Sequence, residues 1–157
     1  MSTEEKDASH FEREHQRLEA LLRAHLLAVV GLDFVGAQHK FERWHRGLLR
    51  HIEIENTRLL PHVPAGARWD ARVYQLEHER IALLAQEHAA RVAALDQRTP
   101  RGEIARRRAA LALLDAAHAL RHLIEHHHQR EEMALAHELP LAVQQAAWET
   151  ARRSTAP

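Results

Sequence analysis

The sequence has no cysteine. Disulfides, thiolate metal sites, iron–sulfur clusters and cysteine nucleophiles are thereby excluded, and redox chemistry would need another ligand set. Aromatic residues make up only 4%, and strand-forming types are sparse, so a sheet is not expected. Net charge is also missing: 22 Lys and Arg balance 22 Asp and Glu, leaving no overall field for nucleic acid or an anionic membrane. The run Arg106 to Arg108 reads as a solvated helix face. The longest apolar stretch, Ala24 to Ala37, is broken by His25 and Asp33 and is too short to span a bilayer. Met1 to Asp7 is charged and lacks the apolar centre of a secretory signal. The expectation is a soluble, cytoplasmic protein with neither nucleic acid nor membrane as partner.

What the chain does contain is helix-forming. Ala, Leu, Arg, Glu and His dominate, and 157 residues fit one domain large enough to bury a core. Ser9 with Glu12 three residues on is a capping-box pattern, followed by the stripe Phe11, Leu18, Leu22, Leu26 and Val29, which predicts a helix from about Ser9 to Val30. Asp33 can cap a second helix ending near Pro61, with Phe41, Trp44, Leu48, Ile52 and Leu59 on one face. After the break at Pro64, Ala65 and Gly66, a third helix is expected from about Ala67 to Leu95. Thr99 and Pro100 read as the N-cap and first residue of a fourth, continuing to about His137. Pro140 marks a new start, and a short fifth helix is expected over Leu141 to Arg152 around Trp148. Short connections make consecutive helices antiparallel, so the expected fold is all-α: an up-down-up-down four-helix bundle over residues 9–138 with a C-terminal fifth helix.

Fifteen histidines need an explanation that only their positions can supply. On the second helix His51 and Glu55 lie four apart inside the apolar stripe; on the fourth, His127 and Glu131 continue the row Leu113, Leu120, Ile124 and Leu135. The alternative pair His128 and Glu132 rotates toward Arg121 and Glu125. His15 lies among Phe11, Leu18 and Leu22, and His78 among Tyr74, Ile81, Ala85 and Val92. One formula thus occurs twice, His15 with His51 and Glu55, then His78 with His127 and Glu131, as an internal duplication would produce. Counting the helical rise from the expected helix ends places the four histidines within roughly two turns in height.

Two buried carboxylates without counter-charge would be destabilised, and four core imidazoles would each need a partner. A pair of metal ions answers both needs, with imidazoles as terminal ligands and carboxylates as bridges. One core histidine is ordinarily explained by a hydrogen bond, but six convergent positions with a repeated spacing favour the metal pair. His118, His122 and His126 form an outer stripe read as solvated surface, and His25 and His88 are read as polar boundary residues. The strings Glu42-x-x-His45 and Glu125-x-x-His128 match a ferritin-like motif, but both glutamates rotate off the core face.

The order His, His-x-x-x-Glu, His, His-x-x-x-Glu resembles the hemerythrin-like (HHE) domain family over about residues 9–138, most closely at His51-Ile-Glu-Ile-Glu55-Asn-Thr-Arg-Leu-Leu-Pro61. The resemblance implies an oxo- or hydroxo-bridged pair of iron ions, held by His15, His51, Glu55, His78, His127 and Glu131, that handles dioxygen, nitric oxide or peroxide. Oxygen-carrying members use a fifth histidine one turn before the third-helix ligand, where this sequence has Tyr74. Tyr74 is instead expected to hydrogen-bond near the metals or to pack in the core, with rotation into the site as a ligand as the lesser alternative. Each iron then keeps one open position, from which a peroxide-decomposing or dioxygen-activating enzyme is expected, with a non-catalytic sensor or carrier, or an iron-related stress protein, as the alternatives. A metal-free helical interaction module is a third reading.

Overall fold

The computed structural model describes residues 9–153; the charged start Met1 to Asp7 and the side chain of Ser9 lie outside the described residues. Every described element is helical: α1 Ser9–Val30, α2 Phe34–Ile54, α3 Ala71–Gln97, α4 Glu103–Arg130 and α5 Leu141–Arg153. None is long and apolar enough to cross a membrane.

The caps explain where the helices start. The Asp33 carboxylate accepts the Gly36 N–H at 2.9 Å and opens α2, as expected. Helix α3 begins at Ala71, later than expected, because the Asp70 side chain accepts the Arg72 N–H at 2.8 Å and supplies a cap that Gly66 and Ala67 cannot. Thr99 does not cap α4. Its hydroxyl donates back to the Leu95 carbonyl at 3.2 Å, at the end of α3, and Gly102, at φ 87°, provides the left-handed turn before α4.

Both long helices that carry a His-x-x-x-Glu pair widen immediately after it. At Glu55–Leu59 and again at Glu131–Leu135 the chain forms a π-turn, with the Leu60 and Ala136 N–H groups donating to carbonyls five residues back, at Glu55 and Glu131. Such turns recur at functional sites because they aim side chains that a regular helix would rotate past.

Helix α1 packs on α2, α2 on α3, α3 on α4, and α4 returns to α1 over a less extensive contact; α5 lies against α1, α2 and the first π-turn. The core falls into two apolar clusters. One contains Leu18, Trp44, Leu48, Ile81, Leu120 and Ile124; the other contains Phe11, Leu59, Tyr74, Leu135 and Trp148. His15, His51, His78 and His127 lie in sequence between members of the two clusters, so a polar layer separates them.

His25 and His88 correct the boundary reading, since both are buried, at 0% and 2% exposed. His25 Nδ1–H donates to the Ala37 carbonyl at 2.8 Å, and the two Nε2 atoms meet at 3.1 Å beside Phe41. Because His25 already donates from Nδ1, its Nε2 accepts from His88, and His88 Nδ1 is left without a partner. Helical phase alone put them on the margin; the close approach of α1, α2 and α3 encloses them.

Burial, with His25 beside it, pushes the His88 pKa down to about 4 from 6.5. The unfolded chain therefore takes up this proton first as pH falls. Stability from this group is unaffected above pH 6.5, falls between 6.5 and about 4, and changes no further below that. Replacing His88 with Leu should remove about 2–3 kcal/mol of the stability lost between pH 7.5 and 4.5. Urea unfolding of both proteins at the two pH values measures it, and equal losses would show that the pair is not buried in the neutral form.

Candidate metal site

The two His-x-x-x-Glu pairs and the two single histidines meet in the polar layer. His51, Glu55, His78, His127 and Glu131 are each at most 3% exposed, and His15 is 4% exposed. Glu55 turns Oε1 to His51 Nε2 at 2.9 Å and Oε2 to His78 Nε2 at 3.1 Å. Glu131 turns Oε2 to His15 Nε2 at 3.1 Å and Oε1 to His127 Nε2 at 2.9 Å. Each carboxylate therefore spans both histidine pairs, one oxygen to each. The donors form two groups, His15, His51, Glu55 and Glu131 in one and His78, His127, Glu55 and Glu131 in the other, with the atoms of each within 4.8 Å of one another. These buried clusters could hold a metal ion.

The donor atoms satisfy each other poorly. His15 Nε2, His51 Nε2 and all four oxygens of Glu55 and Glu131 are buried without a hydrogen-bond partner, although imidazole nitrogens lie close. Close contacts that miss hydrogen-bond angles are what lone pairs aimed at common points produce, and leaving them unmet is costly.

Electrostatics agree. Burial opposes charge on His15, but Glu131 and Glu132 outweigh it and raise the pKa to about 9. For His78, Glu131 and Glu55 overcome burial to the same value, and for His127, Glu131 and Glu77 take it to about 10. Burial pushes Glu55 and Glu131 up, yet the surrounding imidazoles hold both below the usual carboxylate range. His78 Nε2 and His127 Nε2, 3.0 Å apart, are thus driven to face each other as two donors, a conflict that a cation between them would relieve.

Outer partners orient three of the four rings. His15 Nδ1 donates to Glu132 at 2.6 Å, His78 Nδ1 to Asn56 at 2.7 Å, and His127 Nδ1 to Glu77 at 2.7 Å. Arg130 holds Glu77 at 2.9 Å and lies over the Trp69 ring. Each bond leaves Nε2 facing inward, the arrangement common around metal-binding imidazoles. His51 is the exception: its Nδ1 has no partner, and its ring stacks on Trp148 at 5.1 Å. Trp148 is thereby a packing residue of the site's wall.

Sequence reasoning missed these partners, although Glu132, Asn56 and Glu77 each adjoin a donor along the chain. A neighbour about 100° away on the helix points toward the adjoining helix, which is the available signal. His128 lines one cleft with Arg121 and Glu125, the side toward which the sequence rotates it, but it is half-buried there and its ring lies parallel to His15 at 3.7 Å. Burial, with His15 beside it, pushes its pKa down to about 2. Tyr74 packs in the second apolar cluster with its hydroxyl unpartnered, so it makes no hydrogen bond to the site; burial, with Glu138 and Glu131, raises its pKa well above the usual phenol value. Glu42 and Glu125 are exposed, as expected. His118, His122 and His126 are also exposed, but the first two line a cleft of about 680 Å³ together with His15 and His128.

No family model matches the chain, and no curated protein or solved structure matches it either.

If this layer is built for cations, adding a divalent metal should raise the melting temperature and chelation should lower it. Glu55→Gln together with Glu131→Gln should sharply reduce the metal-dependent rise. Calorimetry with and without chelator checks this, and identical melting of wild type in both conditions would contradict a metal-binding core.

Proposed function

We propose that the chain is a hemerythrin-like four-helix bundle that holds two iron ions and acts on a small oxygen species, with peroxide decomposition as the favoured reaction. The observation that carries the proposal is the reach of Glu55 and Glu131, each with one oxygen toward His15 or His51 and the other toward His78 or His127. Such sharing suits a pair of ions better than one. His15 and His51 would hold one, His78 and His127 the other, with both glutamates common to the two. Nitrogen and oxygen donors without thiolate, in a carboxylate-sharing set, favour iron over a closed tetrahedral zinc site. Bound there, the pair would supply Lewis-acid and redox chemistry toward the small molecule.

The chain's own contributions follow from its contacts. Glu132, Asn56 and Glu77 fix three imidazoles with Nε2 inward, so little reorganisation accompanies binding. The two apolar clusters keep bulk water from either side of the layer, which strengthens electrostatic interactions within it. The cleft reaching His15 and His128 gives a small molecule a way in from solvent. Tyr74, where oxygen carriers of the family have a histidine, packs in the core, which favours turnover over reversible carriage.

Metal analysis of the aerobically purified protein should find about two iron ions per chain. His51→Ala and His127→Ala should each lose at least one, whereas His122→Ala should keep both. Full retention in the first two variants would sink the assignment. The iron-loaded protein should release oxygen from hydrogen peroxide, and a stable oxy complex with negligible peroxide turnover would instead mark a carrier or sensor.

A further inference from the structure

The cleft between α1 and α4 carries an unusual lining. Glu12, Glu19, Glu125 and Glu132 supply carboxylates, His118 and His122 supply imidazoles, and Arg121 is the only lining residue with a fixed positive charge. Leu18, Leu22, Trp44, Leu48 and Ile124 are also in the lining and suit a small neutral molecule, but such a molecule has no use for the carboxylates, which would repel an anion. A divalent cation, by contrast, can exchange its water for such donors one at a time.

His128 lines the cleft as well. Its ring is half-buried against His15 and makes no hydrogen bond among the described residues. One of its nitrogens lies within 4.8 Å of a nitrogen of His15 and one of His51, which makes a three-imidazole donor group without a carboxylate, and the His128 ring has to turn out of its parallel stack on His15 for both to meet one ion. His15 also lines the cleft, is 4% exposed, and has an unpartnered Nε2. The group shares His15 and His51 with one carboxylate-bearing group, so an ion held by the three imidazoles is already bound to two ligands of the next position.

We propose that this cleft is the loading route for divalent metal, and that His15, His51 and His128 receive the ion before it passes to Glu55 and Glu131. The inference rests on the reading of the polar layer as a metal pair and assigns His128 a transient part in filling it.

The test mixes metal-free protein with cobalt(II) alone and follows the visible absorption of the bound ion by stopped flow. Wild type should take up two ions per chain, the number expected of the pair. His128→Ala should reach the same final number at least tenfold more slowly. Glu19→Gln combined with Glu125→Gln should slow uptake in the same direction, while His137→Ala, exposed and outside the cleft, should not. Glu55→Gln/Glu131→Gln should still hold one cobalt, and adding His128→Ala should abolish it. If the alanine variant does not fold, His128→Gln is read in the same way. Full uptake at the wild-type rate without His128 would overturn the route and leave the metal pair standing. A reduced final number with His128→Ala alone would make it a permanent ligand and also overturn the proposal. No uptake by wild type would overturn the pair itself.

Discussion

Two carboxylates with no access to solvent are the constraint on which the rest of this structure turns. Removing such groups from water costs several kcal/mol each unless charge of the opposite sign lies close by. Glu55 and Glu131 meet that requirement through the four imidazoles around them, and three of these are driven toward the protonated form. The layer is therefore held together by positive charge, whether from protons or from metal ions that displace them. The apolar clusters on either side make the requirement strict, because they offer no charged group to balance the carboxylates.

The same constraint explains why the two halves repeat more than their ligand spacing. The π-turns begin at the glutamate in both α2 and α4, and the buried pair His25 and His88 lies ten residues beyond His15 and His78 in the two halves. This second pair sits in the apolar region and needs the opposite electrostatics. Without a carboxylate near them, burial lowers both pKa values and the pair persists as neutral, hydrogen-bonded rings. Two histidine pairs ten residues apart thus take opposite charge states because only one has glutamates for company.

The halves differ in what surrounds them. Trp148 of α5 covers His51, whereas Glu77, Arg130 and Trp69 form a bonded set behind His127. The cleft lies where α1 and α4 touch less extensively than the helix pairs consecutive in the chain.

The sequence by itself determined that the chain is helical, roughly where each helix lies, and which residues face inward at His15, His51, Glu55, His78, His127 and Glu131. Those properties follow from a periodicity of about 3.6 residues, which any long amphipathic helix displays. Residues on the margin of a stripe were not decided this way. His25 and His88 became core, Glu132, Asn56 and Glu77 became partners of histidines on other helices, and His128 came to lie against His15, because their surroundings depend on the separation and rotation of neighbouring helices. The π-turns were equally hidden, since they arise where the backbone changes its bonding and leave the apolar pattern almost unchanged. Helical phase tells a side chain which way to point; only tertiary packing decides what it meets there.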